Sequence, residues 1–132
     1  MDLSSKTRKE VGTFGENVAA EYLRRHGFFI RDRNFARKTG ELDIIAEKES
    51  TLHFVEVKTV LADEFPLAEC KGEDAYDPSL NLHAAKIRKV ARTGEWYVSE
   101  KNWEGEWQID GCLVWLRRRD GAARITYLPQ IV

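Results

Sequence analysis

The stretch GELDIIA at residues 40–46, followed by FVEVK at residues 54–58, decides the fold. Both segments are strongly apolar, which is typical of strands near the centre of a sheet. The polar stretch at 47–50 between them predicts a hairpin connection. If the register centres near Glu49 and Ser50, Asp43 and Glu56 become cross-strand neighbours. Because side chains alternate along a strand, Glu56 and Lys58 are predicted to point to the same face.

Helical and extended patterns around this hairpin predict a single domain spanning residues 1–132. The first helix begins at about residue 7 or 13 and ends at 26, because Thr7 and Thr13 are each followed three residues later by a glutamate. The remaining predicted elements, in chain order, are strands at 28–34, 41–47 and 51–61, a helix at 82–98, and strands at 107–116 and 124–128. The order α-β-β-β-α-β-β favours an α/β fold with a mixed sheet flanked by helices.

Charge is balanced over the whole chain but not along it. The chain has 21 Lys and Arg and 22 Asp and Glu, for a net charge of −1, which argues against a polycationic tail and against an acidic disordered chain. The middle third, residues 41–80, is strongly acidic, and both flanks are basic. Part of this surplus lies at 62–80, where weak periodicity predicts a long acidic surface loop.

The sequence also predicts a compartment. It contains no apolar run of the roughly 18 residues that a membrane span needs, and the polar first ten residues do not resemble a signal peptide. Its two cysteines, Cys70 and Cys112, are far apart and lack CxxC spacing. This pattern favours reduced thiols in a cytoplasmic protein without a membrane partner.

Asp43, Glu56 and Lys58 form the sharpest chemical constellation. Two neighbouring carboxylates repel each other, so a cation must offset the cost, either Lys58 or a divalent metal ion. Mg²⁺ takes one or two carboxylates together with waters and phosphate oxygens, and it lowers the pKa of a bound water. A lysine nearby can orient that water and stabilise developing charge. The trio therefore suffices for metal-assisted phosphodiester hydrolysis, and the alternative is a purely structural ion cluster.

A longer ordered string of residues resembles the YraN-like family of uncharacterised, endonuclease-related proteins. That family is similar to archaeal Holliday-junction resolvases and belongs to the PD-(D/E)XK, or restriction-endonuclease-like, nuclease superfamily. The resemblance covers about residues 12–60 most strongly. The residues that carry it are Gly15-Glu16 with Ala19, Ala20, Tyr22 and Leu23, then Gly27-Phe28, Arg33-Asn34, and the segments 40–45 and 54–59.

The resemblance implies a restriction-endonuclease-like sheet and a role for individual residues. Asp43 and Glu56 would bind Mg²⁺ or Mn²⁺, with the Val57 carbonyl as a candidate third oxygen. Lys58 would be the catalytic lysine. Glu16 matches a helical glutamate that can complete such a site, and the alternative is that it caps the start of its helix.

The implied substrate is DNA, in particular branched or structured DNA, and a homodimer is compatible with this because resolvase-like relatives cut as dimers. Candidate phosphate contacts are Arg33, Arg37, Lys38 and Lys86, each of which could instead be a solvated surface charge. Two departures favour a second hypothesis, a nucleic-acid- or protein-binding module with weak or no catalysis. Val60 stands where the family often has arginine, and the loop at 62–80 is acidic.

Overall fold

The computed structural model describes residues 1–65 and 84–131, apart from the side chain of Ala84. Its elements are α1 (Arg8–Arg25), β1 (Phe29–Arg37), β2 (Gly40–Lys48), β3 (Thr51–Ala62), α2 (Ala84–Glu100), β4 (Glu106–Arg117) and β5 (Ala123–Leu128). This order confirms the predicted one. The largest difference is in β1, which reaches Arg37 instead of Asn34 because Arg37 still pairs with Gly40 of β2. Most of the predicted acidic loop, and Cys70 within it, lies outside the described residues.

The five strands form one mixed sheet in the order β1-β2-β3-β4-β5. Three neighbouring pairs are antiparallel, whereas β3 and β4 are parallel. A parallel pair needs a crossover connection, and α2 lies in the chain between these two strands. The chain therefore has the predicted α/β class, and its architecture is consistent with a restriction-endonuclease-like fold.

The β2–β3 hairpin has the predicted register. Glu49 and Ser50 form its two-residue turn with φ angles of 50° and 66°, the positive values that tight hairpin turns require. Lys48 pairs with Thr51, and the ladder continues to Ile44 and Val55. The register is thus centred between Glu49 and Ser50, as the sequence predicts.

Helix α1 begins after Thr7, so the first of the two capping signals is the one that is used. The Thr7 hydroxyl accepts from the Glu10 N–H at 3.1 Å, and the Glu10 carboxylate accepts from the Thr7 N–H at 3.0 Å. These reciprocal bonds satisfy backbone groups that have no partner at a helix start. Glu16 therefore lies inside the helix, and its predicted alternative role in a capping box is wrong.

The core is divided by the sheet into two layers. On the α1 side, the buried residues are Leu3, Val11, Ala19, Ala20, Leu23, Ile44, Ala46, Val55, Cys112, Val114 and Leu116. On the α2 side, they are Leu42, Ile45, Leu52, Phe54, Val90, Tyr97 and Ile109. A helix on each face fixes β2 and β3 in the middle of the sheet, where the polar residues of the candidate site emerge.

Candidate active site

Asp43 lies where the β2–β3 ladder stops. The last recorded backbone pair is Ile44 with Val55, and beyond it the Val57 N–H donates to Asp43 Oδ2 at 2.9 Å. A side-chain oxygen thus takes the place that a backbone carbonyl would fill in a continuing ladder. This bond holds the half-buried Asp43 carboxylate against β3.

Glu56 is the most deeply buried acid of the site, with only 5% of its surface exposed. Burial raises the pKa of Glu56 to about 8, the negative charge of Asp43 adds to the rise, and the positive charge of Lys86 opposes it. Within the residues that the structure describes, Glu56 Oε1 is buried without a hydrogen-bond partner. A buried, unpartnered carboxylate oxygen beside a second carboxylate is costly without a cation.

A pocket of about 260 Å³ opens over these two acids. Its lining residues come from β2, β3 and α2: Gly40, Glu41, Asp43, Glu56, Lys86, Lys89 and Val90. Lys86 and Lys89 therefore place positive charge across from the acids. Of the predicted phosphate contacts, Lys86 is the one that shares a pocket with Asp43 and Glu56.

Glu16 approaches the same acids from α1. Burial raises the pKa of Glu16, as do the charges of Asp43 and Glu41, whereas Arg33 opposes the rise. Asn34, with its amide oriented to satisfy its neighbours, donates to Glu16 at 3.0 Å and to Glu41 at 3.2 Å. Asn34 thereby links the helical glutamate to β2.

Sequence reasoning did not assign this linking role to Asn34. Its φ of 54° is a left-handed conformation, which asparagine tolerates better than most residues. An asparagine inside a predicted strand was the available signal, but the two carboxylates that it joins come from distant parts of the chain. The contact could not be inferred without the packing of α1 on the sheet.

Lys58 is exposed and lines a different depression, a groove of about 770 Å³ beside α1 that also includes Glu16. A third pocket, of about 390 Å³, contains Glu16, Arg33, Asn34 and Glu41. Glu16 is therefore shared by the groove and this third pocket, and Glu41 is shared by the third pocket and the Asp43–Glu56 pocket. The four predicted site residues therefore line three depressions that share Glu16 or Glu41, and Lys58 and Glu56, two residues apart on β3, line different ones.

The other predicted phosphate contacts are placed differently. Arg33 is half-buried beside Glu16. Arg37 makes a two-pronged ion pair with Glu100, at 2.6 and 2.8 Å, and so joins β1 to α2. Lys38 is exposed in the β1–β2 turn. Arg37 is thus already engaged by a carboxylate and Arg33 is half-buried, whereas Lys38 is exposed.

The donor set fits a divalent cation that keeps several ligands from solvent or substrate. Among the described residues, no group of three or more His, Cys, Asp and Glu side chains is arranged to hold a metal ion. The side-chain ligands available to a cation are then the two carboxylates of Asp43 and Glu56, and Glu56 Oε1 lacks any described partner. Mg²⁺ is commonly held by one or two carboxylates, with waters and phosphate oxygens completing its octahedron.

A second polar network is buried elsewhere in the sheet. Asp110 is fully buried, and it accepts from Gln108 Nε2 at 2.7 Å and from the Gln130 N–H at 2.8 Å. It also bonds His53 Nδ1 at 2.6 Å and accepts from the Tyr127 hydroxyl. Because none of these residues lines the three adjoining depressions, the network supports the fold rather than the candidate site.

Two further sequence expectations concern the thiols and the membrane. Cys112 is a free thiol, and burial raises its pKa to about 12, so it is unreactive in the folded protein. No helix in the described ranges 1–65 and 84–131 is long and apolar enough to cross a membrane.

Comparison with known proteins identifies the family. Residues 15–120 match the family described as Uncharacterised protein family UPF0102. A UPF0102 protein of Syntrophotalea carbinolica is 36% identical over 122 residues, which cover 92% of this chain and 90% of the relative. UPF0102 proteins of Sulfurovum sp. and Campylobacter fetus are 36% and 38% identical, covering 80% and 75% of this chain and 84% and 78% of the relatives. The chain therefore belongs to UPF0102, the YraN-like family that its sequence resembles.

Proposed function

We propose that this protein is a Mg²⁺- or Mn²⁺-dependent endonuclease that hydrolyses phosphodiester bonds of DNA. The observation that carries the proposal is the Asp43–Glu56 pair at the end of the β2–β3 ladder, with a buried carboxylate oxygen that has no described partner. Asp43 and Glu56 would hold the cation, with the Val57 carbonyl as a further oxygen. When bound, a divalent cation polarises the phosphoryl group of the substrate and lowers the pKa of a bound water.

The residues of the chain have separate tasks in this proposal. Hydrolysis adds a water oxygen to phosphorus and breaks one P–O bond, and the leaving oxygen takes up a proton. Lys58, exposed at the groove, orients the water and stabilises the negative charge that develops on the phosphoryl oxygens. Glu16, with its raised pKa, faces Asp43 from α1 and can hold a proton near the reacting groups.

The substrate class follows from the resemblance to resolvases, which favours branched or structured DNA and a homodimer. Lys86 and Arg33 offset the negative charge of the acids and can meet substrate phosphates at either end of the site.

A second candidate function is a nucleic-acid-binding module of the same fold with little catalysis. The observation that favours it is that Lys58 lines the groove beside α1 and not the pocket of Asp43 and Glu56, together with Val60 in place of an arginine. In that case DNA would bind without being cut, and Mg²⁺ would not raise the thermal stability of the protein.

The test is cleavage of labelled linear, nicked and four-way DNA with Mg²⁺, with Mn²⁺ and with EDTA. The proposal predicts metal-dependent cutting that falls about 100-fold or more in Lys58→Ala. Lys48→Ala is the matched control, because Lys48 lies at the opposite end of the same hairpin, over the Phe28 ring. Absence of cutting in every condition, or full activity in Lys58→Ala, would contradict the proposal.

A further inference from the structure

The groove beside α1 has a strongly positive lining. Its charged residues are four cations and one acid: Lys6, Arg8, Lys58, Arg118 and Glu16. The cations come from the segment before α1, the start of α1, β3, and the region after β4. Four separate parts of the chain therefore direct positive charge at one concave surface of about 770 Å³.

Two of these cations are available to an anion from outside. In the described part of the chain, Arg8 and Lys58 have no ion-pair partner. Lys6 lies 4.0 Å from Glu10, the outer limit for an ion pair, and both side chains are well exposed. Exposed pairs of this kind are weak and exchange readily for another anion.

Arg118 is held by an acid that phosphate can displace. Its Nε donates to Asp63 Oδ1 at 3.0 Å, but 86% of the Asp63 side chain is exposed. The Arg118 backbone is fixed more firmly, because its carbonyl accepts from the Leu3 N–H at 2.7 Å. Leu3 itself is 1% exposed, so the first residues of the chain are anchored to the end of β4 and hold Lys6 in place.

We propose that this groove binds the phosphodiester backbone of a nucleic-acid strand, and that Lys6 and Arg8 form part of its wall. The regularly spaced phosphates of a strand match a groove lined with separated cations. Glu16, which lines the groove, also interacts with Asp43, so the groove leads toward that acid. That the bound strand runs from the groove toward Asp43 and Glu56 rests on the proposed function. Lys6 and Arg8 lie before residue 15, where the family match begins, so the match assigns them no role.

The test measures DNA binding in EDTA, where cleavage cannot contribute, by fluorescence anisotropy of a labelled 25-base-pair duplex over a KCl series. The double variant Lys6→Gln/Arg8→Gln should weaken binding about tenfold and reduce the slope of log affinity against log salt by about 1.8, which is 0.9 for each lost phosphate contact. The matched control is Arg24→Gln/Arg25→Gln, two exposed arginines in the last turn of α1. It should change neither quantity.

A second pair of variants separates binding from folding. A Cβ added at Gly12 would meet nothing within 4 Å, and Gly12 lines the groove in the helix interior. Gly12→Glu and Gly12→Gln have nearly the same shape, and both replace glycine by a better helix former, so neither should lower the Tm. Gly12→Glu should weaken DNA binding about tenfold relative to Gly12→Gln, because it adds a negative charge to the groove.

The outcomes distinguish this inference from the proposed function. If the wild type cuts DNA with Mg²⁺ but binds equally well in all groove variants, the groove assignment is wrong and the endonuclease proposal stands. If the groove variants lose binding but no cutting occurs with any metal, the groove assignment stands and the endonuclease proposal is wrong. Failure of the wild type to bind DNA even at low salt would overturn both.

Discussion

Asp43 accepts a hydrogen bond from the backbone N–H of Val57 at 2.9 Å, across the point where the β2–β3 ladder ends. The bond fixes one carboxylate beside Glu56, the residue that precedes Val57 in β3. It also shows how the fold tolerates an acid here, because the backbone donor satisfies one Asp43 oxygen. The buried Glu56 Oε1 has no such donor among the described residues. Burying the charge of Glu56 therefore costs more free energy than burying that of Asp43.

Glu56→Gln is expected to make stability less dependent on pH in the absence of metal. Glu56 has an ordinary pKa of 4.5 when unfolded and about 8 when folded, so between these values the folded protein binds the additional proton. Stability from this group is therefore fully present below pH 4.5 and is lost as pH rises to about 8. At pH 8 in EDTA, Gln at this position should raise the free energy of unfolding by roughly 1–3 kcal/mol.

Urea unfolding of both proteins between pH 4.5 and 8.5 measures this difference. Titrating groups that do not interact with Glu56 are common to the two proteins and cancel in the comparison, so the difference reports on Glu56 and its interactions with Asp43 and Lys86. The advantage of Gln should grow with pH and shrink when Mg²⁺ is added to the wild type. A difference that is the same at every pH would contradict the assigned pKa.

The hairpin is the part of this site that the sequence predicts best. Its polar 47–50 segment and flanking apolar runs are local features, and they suffice to place the turn at Glu49 and Ser50 and to oppose Asp43 to Glu56. The start of α1 was ambiguous, since Thr7 and Thr13 both precede a glutamate at the capping-box spacing. The contacts of Thr7 with Glu10 decide between them, and tertiary packing places Glu16 against the sheet.

Contacts between distant segments could not be predicted in this way. Strand alternation predicts that Lys58 shares a face with Glu56, and β3 pairs with β4 without a register shift through both residues. The sequence does not predict that Lys58 lines a groove beside α1 while Glu56 lines the pocket beneath α2. The Asp110 network joins three strands and the C-terminal segment, and no periodic pattern in the sequence marks it. Both features depend on how the helices and strands pack.

Gly15→Ala should destabilise the protein by roughly 1–3 kcal/mol, because α1 and β3 approach too closely there for a methyl group. An added Cβ would clash with Thr59 Oγ1 and would lie 2.8 Å from Thr59 Cγ2. Gly12→Ala is the control. It has open space around the new methyl group and should stabilise α1 by about 0.5–1 kcal/mol through helix propensity.

Combining Gly15→Ala with Thr59→Ala should restore much of the lost stability, which chemical denaturation of the four proteins measures as a double-mutant cycle. Gly15 is the neighbour of Glu16 in α1, and Thr59 is the neighbour of Lys58 in β3. Gly15→Ala alone should therefore also lower DNA cleavage. Additive effects of the two substitutions would show that their contact does not set the spacing of α1 and β3.

Asp110→Asn should cost about 2–4 kcal/mol of stability at neutral pH, because one oxygen that accepts hydrogen bonds becomes a donor inside a buried network. Burial alone would raise the pKa of Asp110, but the bonds from His53, Tyr127, Gln108 and Gln130 together lower it below the usual 3.8. The stability that Asp110 provides is therefore present above pH 3.8 and is lost as pH falls through its lower folded value.

Thermal unfolding of the wild type and Asp110→Asn should accordingly show a large gap in Tm at pH 7 that narrows below pH 3.8. At temperatures where both are folded, DNA cleavage should be equal, since Asp110 lines none of the three depressions around Asp43. A loss of cleavage in the folded variant would move this network into the active site.

The most direct test of the central claim is the single-turnover rate of DNA cleavage by Asp43→Asn in Mg²⁺ or Mn²⁺. Asparagine keeps a carbonyl oxygen for the Val57 N–H and removes the charge that would hold the cation. The account predicts a folded protein whose cleavage rate falls about 100-fold or more, while Glu21→Gln, an exposed acid-to-amide change in α1, cuts like the wild type. Cleavage by Asp43→Asn at the wild-type rate would contradict the account.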